Sequence, residues 1–244
     1  MAIAITKLLS GNTAEDPHTT SSIAPSDNAL VLVGACLRIV DSDMADTNSI
    51  ALSGGGMTTW TLIVDTLTVL QLNCNRRFLL WRSLEATPGS AALVLNYVGS
   101  SSLLGMTYFA IEATGVVTTG TNGADAYSDL VVKYNSAHND ISPDITITGT
   151  PEANDVTLVV LANEDDGTRT IESGWSAAVD ALTGSETGHL INYDVDQDQT
   201  CVWADQTVDT KSWATVGMIL KAGGGAILSA LHNRRFVTRG RRVS

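Results

Sequence analysis

The chain has 244 residues, of which 44% are hydrophobic and only 16% are charged. This composition excludes general disorder, and the length is compatible with one or two folded domains. The net charge of −12 is unevenly spread, because five of the 14 basic residues lie in the last eleven positions; the remainder holds nine basic and 26 acidic residues, a charge of −17. An acidic body argues against general nucleic-acid binding, which depends on Lys and Arg at phosphates.

Cysteine spacing and the first residues bear on the cellular compartment. Cys36, Cys74 and Cys201 form no C-x-x-C pair, so neither a disulfide framework nor a zinc site is indicated, although two of them could still pair. Residues 1–10 lack the basic start and long apolar stretch of a secretion signal, and the longest apolar-rich run, 29–40, is too short to cross a bilayer. We expect synthesis in a cytoplasm, no membrane partner and no cofactor.

In chain order, short segments rich in β-branched and aromatic residues alternate with Gly, Asn, Asp, Ser and Pro, a pattern typical of strands joined by turns. The predicted strands are 2–9, 29–40, 58–65, 77–85, 91–98, 103–113, 128–134, 144–149, 156–163, 188–195, 200–207 and 213–221. The polar segment 116–140 is predicted to connect two halves, with an edge strand at 127–134 inside it. One helix is predicted, at 226–233, after a run of glycines.

The strands differ in how their apolar residues are arranged. Residues 29–33 and 216–220 are apolar at nearly every position, which predicts cover on both faces by a second sheet or by a neighbouring subunit. Residues 190–198 alternate instead and place Asn192, Asp194, Asp196 and Asp198 on one face, which we expect to be solvated.

The two halves of the chain resemble each other. Each has a Pro-led turn before an apolar strand, then a Trp four residues before Val-Asp, then a closing glycine. The matched positions are Pro25 and Pro151, Trp60 and Trp175, and Gly115 and Gly223. Such self-similarity predicts pseudo-repeats at about 25–115 and 151–223.

These patterns predict an all-β protein: a jelly-roll-like β-sandwich body over residues 1–222, built from the two pseudo-repeated halves. Residues 223–244 are predicted to be a Gly-rich hinge and a flexible basic C-terminal arm. Two small tandem sandwiches are the alternative.

No catalytic motif is present, and we predict that the protein is not an enzyme. There is no G-x-S-x-G, H-E-x-x-H or P-loop pattern. His18, His138, His189 and His232 are scattered, and each is interpreted as an ordinary surface or edge histidine.

One group of acids invites a calcium hypothesis. Asp194, Asp196 and Asp198, joined by residues 163–166 from another strand end, offer the hard oxygen ligands that calcium prefers. The glycine and the distal glutamate of an EF-hand loop are missing, so a solvated acidic face is the favoured interpretation and no metal is predicted.

The five tryptophans allow a carbohydrate-binding interpretation. Trp60 and Trp175 occupy matched positions, which favours a core role, whereas Trp81 and Trp203 could lie on either face of their strands and stack on sugars.

The C-terminal arm holds the predicted partner-binding residues. They are Arg234, Arg235, Phe236, Arg239, Arg241 and Arg242. The arm is either a solvated end or a segment that docks onto an acidic neighbour, with Phe236 and Val237 as apolar anchors.

The chain resembles tailed-phage and prophage virion structural proteins of β-sandwich type. The resemblance lies in the Pro-x-x-Asn turns, in Gly-Gly-Gly-Met-Thr-Thr-Trp at 54–60 and in Phe-Leu-Leu-Trp-Arg at 78–82. It implies a non-enzymatic virion subunit, assembled in the host cytoplasm, that decorates a capsid or belongs to a vertex or tail. Its expected partners are other virion proteins and copies of itself. The alternative is a carbohydrate-binding module or receptor-binding adhesin.

Overall fold

The computed structural model describes residues 2–40, 49–71, 74–99, 102–135, 142–163, 172–179, 188–194, 198–203 and 213–224. The strands are β1 (Ala4–Thr13), β2 (His18–Ile23), β3 (Leu30–Val40), β4 (Ser49–Gly54), β5 (Thr61–Gln71), β6 (Cys74–Leu84), β7 (Ala91–Val98), β8 (Ser102–Thr114), β9 (Tyr127–Asn135), β10 (Ile145–Thr146), β11 (Val156–Asn163), β12 (Ser176–Val179), β13 (Gly188–Asp194), β14 (Thr200–Cys201) and β15 (Trp213–Leu220). A 3-10 segment, Thr121–Ala126, precedes β9.

The strands form four antiparallel sheets, and the predicted all-β class is confirmed. The first central sheet has the order β1-β8-β3-β6-β5, and the second has the order β12-β13-β11-β15-β9. A three-stranded outer sheet, β2-β7-β4, and a two-stranded outer sheet, β10-β14, complete the described fold.

Three apolar cores join these sheets into a stack of four layers. The inner core lies between the two central sheets and contains Phe109 from the first and Met218 from the second. The first outer core lies between the first central sheet and the three-stranded sheet, and the second lies between the second central sheet and the two-stranded sheet. In the inner core, β1 lies over β12, β8 over β13 and β5 over β9.

The doubly apolar strands are covered on both faces, as predicted, and the covering layers belong to this chain. On β3, Leu30 and Leu32 point into the inner core, while Val31 and Val33 point into the first outer core. Each fully buried side chain of this size contributes roughly 1.5–3 kcal/mol relative to exposure. The apolar faces of β3 therefore need no neighbouring subunit.

Both halves of the chain have the same strand order. The strands β1, β3, β5, β6 and β8 hold the places in the first central sheet that β9, β11, β12, β13 and β15 hold in the second, and β2-β7 corresponds to β10-β14. Each half thus contributes one central sheet and one outer sheet, in a jelly-roll-like order. These topological halves begin before Pro25 and Pro151, and the residue-level repeat at 25–115 and 151–223 stays a prediction.

The Pro-led turns before β3 and β11 have matching geometry. Ala29 donates its backbone N–H to Ser26 O at 3.2 Å, and Asp155 donates to Glu152 O at 3.0 Å. The third residue of each turn is an asparagine in the left-handed region, with φ of 59° at Asn28 and 75° at Asn154. Asparagine is one of the few residues that tolerates this conformation, which explains its place in both halves.

Strand prediction succeeded where apolar residues are dense and failed for three short edge strands. β7 and β11 have the predicted bounds, and β9 is the predicted edge strand, but it belongs to the second central sheet rather than to a connection. β2, β4 and β12 were not predicted: β4, in an outer sheet, buries a single side chain, Ile50, and β12 is a four-residue edge strand of the second central sheet. Residues 204–207 and the predicted helix at 226–233 lie outside the described residues.

Every edge strand of the two central sheets carries an extra, unpaired residue. The register shifts place it at Leu8 in β1, at Ile63 in β5 and at Ala178 in β12, and within 129–130 in β9, where Asp129 has φ of 54°. Bulges of this kind twist an edge away from regular pairing and block the addition of another strand.

The turn geometry leads to a stability prediction. Asn28→Ala and Asn154→Ala are each expected to lower the free energy of unfolding by about 1 kcal/mol, because a left-handed backbone conformation is less favourable for alanine than for asparagine. Asn28→Gly is expected to cost less than Asn28→Ala. Urea unfolding followed by tryptophan fluorescence measures the change. Asp27→Ala, in the same turn but with no left-handed φ, is the matched control; equal stability of Asn28→Ala and the wild type would contradict the interpretation.

Candidate functional site

The predicted partner-binding arm lies outside the described residues. The last described residues before it, 221–224, have defined contacts. Gly223 donates its backbone N–H to Gly115 O at 2.7 Å, and Ala222 forms an isolated bridge with Val116. The last described residues, 221–224, therefore lie beside the segment that links the two halves. The described part of the chain ends at this junction, and residues 225–233 lie between it and Arg234 in the sequence.

The side chain of Asn122, in the segment 115–126 that links the two halves, bonds to the first half. Asn122 accepts hydrogen bonds through Oδ1 from Ser83 Oγ at 3.1 Å and from Leu84 N at 3.2 Å. Its Nδ2 donates to Thr61 Oγ1 at 3.0 Å. This part of the linking segment is thus held to β5 and β6 by specific bonds.

Two of the proposed calcium ligands that the structure describes, Asn163 and Asp194, lie far apart on their strands. Asn163 pairs with Gly188 at one end of the β11-β13 ladder, whereas Asp194 pairs with Thr157 at the other. Six residues of strand separate them, about 20 Å. Asp198 is exposed, and Asp196 and residues 164–166 lie outside the described residues, as do the side chains of β13. Among the described residues, no three His, Cys, Asp or Glu side chains converge on a possible metal position.

The tryptophans proposed as sugar platforms are buried. Trp81 is 4% exposed in the first outer core and Trp203 is 2% exposed in the second, so neither presents a ring face to solvent. Trp175 is also buried, which agrees with its predicted core role, and Trp60 packs against the first outer core with its indole N–H on Gly54 O at 3.2 Å. Stacking on a sugar needs an open ring face, which these residues do not offer.

A hydrogen-bonded chain of Glu15, His18 and Tyr108 is the described arrangement closest to catalytic machinery. His18 Nδ1 lies 3.4 Å from Glu15 Oε2, and Nε2 lies 2.9 Å from Tyr108 Oη. Because a carboxylate only accepts, Nδ1 of neutral His18 carries the proton and Nε2 accepts from the tyrosine hydroxyl. Burial raises the pKa of Tyr108, so its hydroxyl keeps its proton rather than acting as a nucleophile. The hydrogen bond between His18 and Tyr108 joins β2 to β8.

The Tyr108 partner of His18 was missed by sequence reasoning, and no local signal could have found it. The two residues are 90 positions apart and lie in different sheets. His18 does lie on an edge strand, as its interpretation as an edge histidine requires.

Cys201 lies in the second outer core in an environment that suppresses reactivity. Burial raises the pKa of its thiol well above the usual range, and the carboxylates of Glu172 and Asp144 raise it further. Both carboxylates accept backbone N–H groups beside it, from Val202 and Trp203 at 2.8 Å each. A thiol that keeps its proton is a poor nucleophile, so Cys201 is structural.

Comparisons with protein-family models, with curated proteins and with solved structures give no match to this chain. In the part of the chain that the structure describes, no helix has the length and apolar character needed to span a membrane.

Cys201 gives a prediction for chemical labelling. Iodoacetamide is expected to leave Cys201 and the buried Cys36 unmodified in the folded protein from pH 7 to pH 9, since neither is accessible and the raised pKa of Cys201 keeps its thiol protonated. Peptide mass spectrometry measures the modified fraction at each cysteine. The same reaction in urea is the control and should modify both. Labelling of folded Cys201 that grows with pH as in a free thiol would contradict the structural role.

Proposed function

We propose that this protein is a non-enzymatic structural subunit of a phage virion, a capsid decoration, vertex or tail-associated protein that assembles in the host cytoplasm. It acts through many weak contacts with other virion proteins and with copies of itself. Multivalency suits such a role, because modest affinity per subunit becomes strong attachment when many copies bind at once.

The observation that carries the proposal is the segregation of charge. Residues 234–244 contain five arginines and no acid, while the rest of the chain has a charge of −17. Opposite charge on the arm and the body favours contact between neighbouring copies and steers their encounter. Candidate contacts of the arm are made by Arg234, Arg235, Phe236, Arg239, Arg241 and Arg242.

The fold supports a role as a rigid body. The apolar faces of the central sheets are buried within the chain, so the subunit is a folded unit before it meets a partner. Jelly-roll sandwiches occur in viral capsid proteins and in lectins, and fold alone does not choose between such functions. The burial of Trp81 and Trp203 removes the rings on which the sugar-binding alternative depended.

Removing the arm tests the proposal. Deletion of residues 234–244 is expected to reduce self-association and binding to virion particles, measured by analytical ultracentrifugation and by co-sedimentation with particles. A full-length variant with all five arm arginines changed to glutamine is the matched variant that keeps the chain length. Self-association and particle binding of the intact chain should weaken with rising salt, and the difference between the intact chain and either variant should narrow, because exposed charges are screened.

Unchanged assembly and particle binding after the deletion would contradict the proposal. The circular dichroism spectrum and melting temperature of the truncated chain provide the folding control.

A further inference from the structure

β4 is an edge strand whose pairing is not interrupted by a bulge. Among the described strands it pairs only with β7, from Ser49 opposite Val98 to Gly54 opposite Leu93, with no register shift. The edge strands of both central sheets have bulges, and β2, at the other edge of the same outer sheet, has a register shift between Thr19 and Ser22. β4 thus presents a regular edge over its first five residues and ends at Gly54, where φ is 78°.

The backbone groups at this edge can be assigned from the ladder. Gly55 donates its N–H to Ala92 O at 2.8 Å, in continuation of the β4-β7 register. Alternate residues of an antiparallel strand direct their backbone groups to the same side. Ile50, Leu52 and Gly54 therefore direct theirs away from β7, and Gly54 O already accepts the indole of Trp60. Ile50 and Leu52 remain as the positions for an added strand.

The side chains of β4 do nothing to prevent such pairing. Its sequence, Ser-Ile-Ala-Leu-Ser-Gly, has no charge and no proline, which are the usual protections of an exposed edge besides a bulge. Ala51 and Ser53 are exposed, while Ile50 is buried in the first outer core. A strand added here would meet small side chains on the outer face.

We propose that β4 receives the C-terminal arm of a second copy of this chain, with residues 234–239 added as a strand beside residues 49–53. This inference rests on the proposed function and identifies the surface that the arm contacts. Backbone hydrogen bonds to Ile50 and Leu52 supply the pairing, as in other cases of strand addition to a sheet edge.

The composition of the arm fits this edge. Phe236, Val237 and Thr238 are three consecutive residues with high strand propensity, and arginines flank them on both sides. Three aspartates, Asp41, Asp43 and Asp46, precede β4 in the sequence within eight positions of Ser49. Basic residues on an incoming strand are therefore matched by acids that precede the receiving strand in the sequence.

The tether is long enough to reach another subunit. Residues 225–233 separate the last described residue from the first arginine of the arm. Nine residues span up to about 30 Å when extended. The contact is thus available between neighbours without unfolding of the body.

Charge substitutions at the exposed Ala51 test the site in the full-length chain. Ala51→Lys is expected to weaken self-association by about tenfold or more, as measured by sedimentation, because it places a cation opposite the arginines. The matched variant Ala51→Glu is expected to associate at least as well as the wild type. Unchanged melting temperatures show that both variants fold.

Hydrogen exchange gives a second, direct measurement. The amides of Ile50 and Leu52 are expected to exchange faster in the chain that lacks 234–244 than in the intact chain, while Ala51 and Ser53, which bond to β7, are unchanged.

The outcomes separate this inference from the proposed function. If the arm deletion abolishes association but Ala51→Lys does not, the arm acts elsewhere: the inference is wrong and the proposed function stands. If the deletion has no effect and both Ala51 variants lose association, β4 pairs with β4 of a second copy and the arm is not involved. Protection of Ile50 and Leu52 in a monomeric intact chain would show that the arm docks within its own subunit. Each of these results overturns the proposal.

Discussion

The fold depends on strands that are apolar on both faces. A strand such as β3 directs Leu30 and Leu32 to one side and Val31 and Val33 to the other, so a two-layer sandwich would leave one set in water. Four layers satisfy both sets, and the inner core is packed closely enough that a methyl group on Gly34 would meet the ring of Phe109. The position of each outer sheet follows from this requirement, since each covers the remaining apolar face of a central sheet.

Because the outer sheets cover the doubly apolar strands, these strands are not evidence for a neighbouring subunit. Doubly apolar strands were compatible with burial against a neighbouring subunit, and such burial would have supported an assembling protein directly. The structure places that cover within the chain, so the strands say nothing about partners. What remains for contact is the polar surface, the charge and the edges. Bulges at β1, β5, β9 and β12 block the long edges, which leaves the short outer sheets and the arm.

How much of the molecule could be predicted depends on how locally it is encoded. The central strands are dense in Val, Ile and Leu, and the turns before β3 and β11 have Pro and Asn at fixed places, so β11 was predicted to the residue. β2 has a single apolar residue, β4 buries only Ile50, and neither has such a signal. The contacts of His18 with Tyr108 and of Asn122 with Ser83 join distant parts of the chain, so sequence spacing could not reveal them. The predicted arm residues lie outside the described residues, and their role stays a prediction.

The closing glycines show how a sequence signal can have a cause that only the fold reveals. Gly115 follows β8 and Gly223 follows β15, which are corresponding strands of the two halves. A Cβ on Gly223 would lie 2.6 Å from Val116 O and 3.2 Å from Gly115 O, and Gly115 has φ of 77° with Ala2 O against it. Gly223 requires glycine because the ends of the two halves approach backbone to backbone, whereas Gly115 requires it because of its left-handed φ and the backbone of Ala2 in its own half. The junction that brings the halves together is therefore also where the described part of the chain ends, next to the contact between the two halves.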